Sequence, residues 1–259
     1  MMKTVYIVPE ESYLAHHGIK GQKWGVRRYQ NLDGSLTEAG KQRYNIGKIN
    51  NIDEINRSHT DYNIDNWGKT KDTNILWVSG LSGSGKSTFA TDMSKKYGAD
   101  TIHMDLYLYS TPGKYNNKMS ANFNKFLDKN HPEWRKMQSE AYRQLRKIDR
   151  REGEDKKAVG LWFDTFQDAL QKYGSSMFKT KKIIAEGVQI LDDALFYNNK
   201  KALKGQPVIM MNTTFEESMA SRMIRENKTF NDLLTSGSID QAKICANGKE
   251  MIEKILSEK

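Results

Sequence analysis

Residues 77–89 read Trp-Val-Ser-Gly-Leu-Ser-Gly-Ser-Gly-Lys-Ser-Thr-Phe (WVSGLSGSGKSTF) and contain the pattern G-x-x-x-x-G-K-[ST], from Gly80 to Ser87. A buried strand is predicted before this loop, over residues 74–79, and a helix after it, over residues 87–97. In that context the glycines allow successive backbone N–H groups to converge on a phosphate, and the helix N-terminus adds positive charge. The stretch therefore predicts a nucleotide-binding loop.

Each position of this loop has an expected role in holding ATP and Mg²⁺. Lys86 would reach the β and γ phosphates, the Ser87 hydroxyl would ligate Mg²⁺, and Thr88 would contact the α phosphate. The predicted nucleotide-binding residues are Gly80, Ser82, Gly83, Ser84, Gly85, Lys86, Ser87 and Thr88.

Strands and helices alternate downstream of the loop. Further strands are predicted over residues 101–104, 181–185 and 207–211, and helices over residues 119–128, 132–150, 156–173, 215–226 and 239–256. This alternation favours an α/β fold, a three-layer sandwich of the P-loop NTPase type with a mostly parallel sheet. Ligands of such folds bind at the carboxyl ends of the strands.

Two acidic residues are predicted at adjoining strand ends. Asp105 follows the strand that ends in Ile-His-Met, and a carboxylate there could accept the proton of an attacking hydroxyl or hold Mg²⁺ through water. A cap of the following segment is the alternative for Asp105. Glu186 follows the next strand and would orient Mg²⁺, so the predicted metal-binding residues are Ser87, Asp105 and Glu186.

Two arginines follow the last predicted strand. Arg222 and Arg225 lie three residues apart, so both could lean toward one polyphosphate from the same helical face. Their guanidinium groups would then neutralise charge that develops on the transferred phosphoryl group. The alternative is that they are simply solvated on a charged helix.

Several nucleotide-binding classes are disfavoured because their motifs are missing. The nearest match to the GTPase base-reading motif, at residues 227–230, lacks its aspartate. The chain contains no Leu-Ser-Gly-Gly-Gln signature of transporter ATPases, and residues 185–187 read Ala-Glu-Gly rather than the Asp-Glu pair of motor ATPases. Switches and motors are therefore disfavoured relative to enzymes that transfer a phosphate.

Four segments in this order resemble the P-loop small-molecule kinases: GLSGSGKST (80–88), HMD (103–105), IIAEGVQIL (183–191) and NTTFEESMASRMIREN (212–227). The similarity is greatest to the uridine kinase and phosphoribulokinase-like group. Adenylylsulfate, polynucleotide and zeta-toxin-like kinases are relatives, and the resemblance covers roughly residues 74–226. It implies a substrate region over about 106–180, activation of the acceptor by Asp105, and lid arginines at Arg222 and Arg225. With Lys86, these three residues form the predicted catalytic set.

The predicted substrate region lacks a nucleoside-reading motif and is strongly basic. Residues 111–160 contain thirteen Lys or Arg against seven Asp or Glu, which accounts for six of the nine net positive charges of the chain. Tyr115, Phe123, Trp134 and Tyr142 are interleaved with these charges. The helices over about 114–157 could follow a nucleic-acid backbone. Alternatively, they are ordinary amphipathic helices with their aromatic side chains inward.

The chain before the loop has a different composition, and we divide it into a docking segment (1–44), a polar connector (45–73) and the kinase domain (74–259). Residues 16–44 resemble a short segment that recurs in bacteriophage and prophage proteins. That resemblance implies an interaction or packaging role with a phage protein partner, a disordered basic arm being the alternative. Within it, a strand over 26–30 and a short helix from a Thr37 cap to Tyr44 are predicted.

The net charge and the cysteine content of the chain indicate its expected partners and cellular compartment. A formal net charge of +9 favours polyanionic partners, and a single cysteine, Cys245, excludes an intrachain disulfide and suits a reducing compartment. Neither a signal peptide nor a membrane span is predicted, so we expect the cytoplasm, that of the host if a phage encodes the chain, or association with a virion.

The sequence thus predicts a kinase that transfers the γ-phosphoryl group of Mg-ATP to a hydroxyl of a nucleoside, nucleotide or related small molecule. A polynucleotide 5′-hydroxyl kinase is the first alternative. A phage virion or assembly protein that binds nucleotide without turnover is the second.

Overall fold

The computed structural model describes residues 37–43, 51–109, 118–145, 154–191, 203 and 205–235. The chain divides into two compact units, residues 1–44 and residues 45–259. In the first unit, helix α1 spans Glu38–Arg43, and the Thr37 hydroxyl accepts a hydrogen bond of 3.1 Å from the Gly40 N–H. The predicted Thr37 cap is therefore confirmed. The predicted strand over 26–30 lies outside the described residues.

The described residues of the second unit form five strands, numbered here in chain order. They are β1 (His59–Tyr62), β2 (Ile75–Ser79), β3 (Asp100–His103), β4 (Ile183–Glu186) and β5 (Val208–Met211). The described helices of this unit are α2 (Lys86–Tyr97), α3 (Met104–Tyr109), α4 (Lys118–Asn130), α5 (Trp134–Leu145), α6 (Glu154–Ser176), α7 (Phe215–Glu226) and α8 (Phe230–Thr235). Single 3-10 turns occur at Ile52–Glu54, Ile64–Asn66, Lys71–Thr73 and Val188–Leu191.

The strands form one mixed sheet in the order β1-β5-β2-β4-β3. Strand β2 lies at the centre and pairs in parallel with both β4 and β5, while β3 pairs in parallel with β4. Parallel neighbours require crossover connections, which the helices between the strands supply. The predicted α/β class with a mostly parallel sheet is confirmed.

Strand β1 corrects one prediction. Residues 59–62 fall in the stretch 45–73 that we expected to be a polar connector, but they pair antiparallel with β5, with His59 opposite Met211 and Tyr62 opposite Val208. The strand His-Thr-Asp-Tyr alternates between exposed and half-buried residues. Because it covers the sheet edge with one side facing solvent, it has too few apolar residues for periodicity to identify it.

Alternate residues of the central strands enter separate apolar layers. Ile75 and Trp77 of β2 pack with one buried cluster, whereas Leu76 and Val78 pack with another that includes Ala90 of α2. Every residue of β2 is buried, as expected of a parallel strand with both faces covered. The sheet is therefore the middle of three layers, and the edge that carries the loop after β2 is held rigidly from both sides.

Helices α4, α5 and α6 pack in the apolar cluster that contains Ile75 and Trp77 of β2. Phe123 and Trp134 are buried in its core, as are Trp162 and Phe166. The rings of Phe123 and Tyr173 lie 5.4 Å apart between centroids. Of the two interpretations of this region, the inward-facing aromatic core is correct for Phe123 and Trp134, and these rings are not available to stack on bases.

Some element ends differ from those predicted. Strand β3 ends at His103, and Met104 begins helix α3, so Asp105 is the second residue of a helix and not a strand terminus. Helix α7 has the predicted bounds, because the Thr214 hydroxyl and the Glu217 carboxylate form a capping box at its start. The predicted last helix over 239–256 and residues 146–150 of the second basic helix lie outside the described residues.

Within the part of the chain that the structure describes, no helix combines the length and apolar character that crossing a membrane requires.

Truncation of Phe123 tests whether the helical layer is a packed core. Phe123→Ala leaves a cavity among the rings of Tyr107, Phe166 and Tyr173, and we expect it to lower the free energy of unfolding by about 3–5 kcal/mol. Leu161→Ala, on the 58% exposed side chain of Leu161 in α6, should lower it by less than about 1 kcal/mol. Urea unfolding followed by tryptophan fluorescence measures both. Equal losses would contradict the assignment of Phe123 to the core.

Candidate functional site

The glycine-rich loop leaves the centre of the sheet. Strand β2 ends at Ser79 between β4 and β5, the chain turns through residues 80–85, and α2 begins at Lys86. Gly85 caps α2 in a left-handed conformation with φ 86°. The N–H groups of the first turn of α2 therefore face the carboxyl edge of the sheet, which suits an anion.

The Lys86 side chain lies inside this loop. It is only 7% exposed, and its ammonium group donates hydrogen bonds to the Gly80 carbonyl at 3.0 Å and the Leu81 carbonyl at 2.8 Å. A lysine is rarely buried so deeply without polar partners. The loop backbone supplies those partners and holds a positive charge at its centre.

A buried carboxylate lies beside the loop at the end of β4. Glu186 is 4% exposed, and its Oε1 atom accepts hydrogen bonds from the Ser87 hydroxyl at 3.0 Å and from His103 Nδ1 at 2.7 Å. The three side chains come from α2, β3 and β4, which meet at the carboxyl edge. We call Ser87, His103 and Glu186 the carboxylate cluster.

The charges of the carboxylate cluster support one another. Burial alone would raise the pKa of Glu186, but the His103 hydrogen bond, the Lys86 charge and the Ser87 hydroxyl outweigh it, so the pKa lies below its usual value. The hydrogen bond to Glu186 raises the pKa of His103 in spite of its partial burial, and the charges of Glu186 and Asp105 add to this. The favoured state is a carboxylate paired with an imidazolium.

Asp105 is exposed and lies one residue beyond the start of α3, two residues after His103. Its charge acts on His103 and helps to raise the pKa of that imidazole. The predicted metal-binding set is thus brought together in part, since Ser87 contacts Glu186 whereas Asp105 remains at the solvent side.

Both predicted arginines bind a carboxylate of their own helix. Arg222 Nε and Arg225 Nη2 donate to Glu226 Oε1 at 3.2 Å and 3.0 Å, and Lys228 Nζ donates to Oε2 at 3.3 Å. Burial raises the pKa of Glu226, but these donors outweigh it and lower the pKa to about 2. Arg222 is buried and Arg225 is half-exposed. The two arginines share one face as predicted, and the partner that both bind is Glu226.

Helix α7 is packed directly on the loop. A Cβ atom on Gly83 would lie 2.9 Å from the Ser218 carbonyl oxygen and 3.0 Å from Arg222 Cγ. The Ser218 hydroxyl donates to the Ser82 carbonyl. The Thr213 hydroxyl, just before the helix, lies within hydrogen-bonding distance of the Ser84 carbonyl, at 3.3 Å. Arg222 therefore lies against the loop.

One contact of the loop was missed by sequence reasoning. Arg57 lies against Gly85, where a Cβ atom would come within 3.1 Å of Arg57 Cδ. Arg57 precedes strand β1, in the stretch expected to be a connector. No local signal reveals this contact, because strand β1, which returns the preceding residues to the carboxyl edge, has too few apolar residues for periodicity to identify it.

The oxygen donors at this edge suit a hard cation whose remaining coordination positions are filled by other ligands. No group of three or more His, Cys, Asp or Glu side chains among the described residues is arranged to hold a metal ion. Mg²⁺ commonly keeps only one or two protein oxygens and takes the others from phosphate and water. The Ser87 hydroxyl and the Glu186 carboxylate fit that need.

Comparison with known proteins adds little to this geometry. Residues 3–31 match the model of a family of unknown function, DUF7211. This match covers a small part of the chain and says nothing about the predicted resemblance of residues 16–44 to phage proteins, which it overlaps in part. No curated protein and no solved structure matches the chain.

A pair of glycine substitutions tests the contact between the loop and α7. Gly83→Ala adds a methyl group that must displace the Ser218 carbonyl, at a φ of 89°, whereas Gly98→Ala has a φ of 62° and no heavy atom within 4 Å of the added carbon. We expect Gly98→Ala to cost about 1 kcal/mol of unfolding free energy from backbone strain alone. Gly83→Ala should cost at least twice as much. Chemical denaturation measures both, and equal costs would contradict the close packing of the loop.

The His103–Glu186 pair predicts a pH-dependent stability. The pKa of His103 is raised from 6.5 in the folded chain, so its stabilising effect is complete below pH 6.5 and is lost as the pH rises through the raised pKa. The pKa of Glu186 is lowered from 4.5, so its effect is present above pH 4.5 and is lost as the pH falls through the lowered pKa. In buffer with EDTA and no nucleotide, the free energy of unfolding of wild type should exceed that of His103→Gln by the largest amount between pH 4.5 and pH 6.5. A constant difference from pH 5 to 9 would contradict the pairing.

Proposed function

We propose that residues 45–259 form a Mg-ATP-dependent kinase that transfers the γ-phosphoryl group to a hydroxyl of a small molecule. The observation that carries the proposal is that a buried lysine, Lys86, lies inside a glycine-rich loop next to the buried Glu186 carboxylate. This carboxylate accepts a hydrogen bond from the hydroxyl of Ser87, the residue that follows the lysine. A phosphate site needs the first group, and a cation that accompanies phosphate needs the second.

The strand order supports this proposal over a simple anion site. The loop follows the central strand β2, and Glu186 ends its parallel neighbour β4. Parallel strands end at one edge, where α/β proteins bind their ligands. Lys86 would exchange its two loop carbonyls for phosphate oxygens, and Thr88, exposed on the first turn of α2, would meet the α phosphate.

Ser87 and Glu186 would hold Mg²⁺, which when bound neutralises phosphate charge and orients the phosphates. The carboxylate is already ionised, because Lys86, His103 and Ser87 together keep the pKa of Glu186 low in spite of its burial. It can therefore ligate a cation without first losing a proton.

Asp105 is the best candidate for the general base. In the reaction, the acceptor oxygen forms a bond to the γ phosphorus, the bond from that phosphorus to the β,γ-bridging oxygen breaks, and ADP leaves. The acceptor hydroxyl proton would pass to Asp105. His103 is the other basic group at this position, but the raised pKa that Glu186 causes favours its protonated form, which cannot accept a proton.

Arg222 and Arg225 would supply positive charge to the transferred phosphoryl group. Arg222 already packs against Gly83 of the loop. Glu226 competes with a phosphate for both guanidinium groups, so their contribution depends on a switch from this carboxylate to the nucleotide.

The acceptor is proposed to be small rather than polymeric. Two of the aromatic residues that could have stacked on bases, Phe123 and Trp134, are buried in the core. A polynucleotide 5′-hydroxyl acceptor and nucleotide binding without turnover remain the alternatives, and each is an outcome of the assay below. The phage protein partner of residues 16–44, and a place in the host cytoplasm or with a virion, stay predictions.

The proposal predicts that binding and transfer can be separated by substitution. Asp105→Asn should leave ATP affinity within about twofold of wild type and lower phosphoryl transfer by about 10²–10⁴-fold, because only the proton acceptor is lost. Lys86→Ala should abolish ATP binding. The matched control is Asp92→Asn, on an exposed residue of α2, which should change neither quantity.

The measurement uses γ-labelled ATP with panels of nucleosides, nucleotides, nucleotide sugars and oligonucleotides, together with calorimetric ATP binding. Label transferred to a small molecule supports the proposal, whereas label confined to oligonucleotide ends supports the polynucleotide kinase. ATP binding with no labelled acceptor in any panel supports the non-catalytic alternative. Transfer by Asp105→Asn at the wild-type rate overturns the assignment of the base.

A further inference from the structure

The residues just before strand β1 reach the loop because of the direction of that strand. This strand runs antiparallel to β5, so its first residue, His59, lies opposite the last residue of β5, Met211. The chain just before β1 therefore lies at the same edge as the carboxyl ends of the parallel strands. Sequence order alone would place these residues far from the loop, whereas sheet topology brings them together with it.

Hydrogen bonds attach this preceding segment to the residues beside the loop. The Asn212 N–H donates to the Ser58 carbonyl at 2.8 Å. The Thr213 hydroxyl lies 2.7 Å from the Asn56 carbonyl oxygen and also reaches the Ser84 carbonyl of the loop. The Asn56 N–H donates to Glu217 of α7 at 3.2 Å. Residues 56–58 are thus held next to the loop from two elements.

Arg57 in this segment lies across Gly85, the residue that caps α2. A Cβ atom on Gly85 would meet Arg57 Cδ at 3.1 Å and Arg57 Nε at 3.5 Å. The guanidinium group donates one hydrogen bond, from Nη2 to the Ile52 carbonyl at 3.0 Å. Over the part of the chain that the structure describes, no carboxylate pairs with it.

This leaves Arg57 different from the other cations around the loop. Lys86 binds two loop carbonyls, and Arg222 is paired with Glu226. Among the described residues Arg57 has a single neutral acceptor, and its charge lies beside the positive end of a twelve-residue helix. Two positive groups held together are unfavourable unless an anion lies near both. The position is therefore electrostatically suited to a ligand phosphate.

We propose that Arg57 is a nucleotide-contacting residue whose guanidinium group binds a phosphate of the nucleotide at the Gly85 side of the loop. Residues 51–58 then complete the nucleotide site. This inference rests on the proposed function, because it requires that the loop bind a nucleoside triphosphate.

Equilibrium binding to the full chain tests it, with ATP and inorganic tripolyphosphate as separate probes in the presence of Mg²⁺. Arg57→Gln removes the charge, and Arg57→Met removes it while keeping the aliphatic stem that packs on Gly85. Both should weaken ATP and tripolyphosphate binding by about tenfold or more, the effect expected when a charged hydrogen bond is lost. Lys95→Gln, on an exposed lysine in the last turn of α2, removes the same net charge and should change affinity by less than about twofold.

The outcomes separate this inference from the proposed function. If wild type binds ATP, Lys86→Ala does not, and both Arg57 variants bind like Lys95→Gln, the role of Arg57 is overturned and the nucleotide site stands. Weaker ATP binding with unchanged tripolyphosphate binding overturns the phosphate contact, because Arg57 would then act on the base or sugar. Failure of wild type to bind ATP overturns both proposals. Arg57→Met guards against a folding defect in Arg57→Gln, and thermal unfolding of each variant identifies one.

Discussion

The buried carboxylate of Glu186 is the constraint around which the carboxyl edge of the sheet is organised. A charge that is 4% exposed is costly unless hydrogen bonds and opposite charges compensate for the lost water. Here the compensation comes from His103 at the end of the neighbouring strand, from Ser87 on the helix after the loop, and from the Lys86 side chain inside the loop. Stabilisation of this carboxylate therefore depends on the loop, two strands and a helix together.

The loop is restrained on both flanks as well as at its centre. Helix α7 contacts it through Ser218 and through Arg222 against Gly83, and the segment before β1 contacts it through Arg57 against Gly85. A loop that is already held in one conformation loses little entropy when it binds a ligand. The positive groups around the loop repel one another unless an anion lies near them. The restraint of the loop and the positive charge around it therefore both favour an anion.

Some of this arrangement was readable from local pattern. The loop, the strand before it and the helix after it follow from glycine spacing and apolar runs, and α7 has the bounds predicted for it. Strand β1 was not, since an edge strand with one side in solvent lacks a strong hydrophobic signal. Asp105 was placed at a strand end, although the chain already turns into α3 at Met104.

The sequence by itself determined the glycine-rich loop between a strand and a helix, the α/β class and the identity of the acidic and basic groups, because these depend on neighbours along the chain. Only the tertiary structure decided which of those groups meet. The binding of both arginines to Glu226 is a contact within one helix, whereas the pairing of His103 with Glu186 and the position of Arg57 over Gly85 depend on strand order and direction. Local periodicity carries no information about these, because hydrogen bonds between strands form across large separations in sequence.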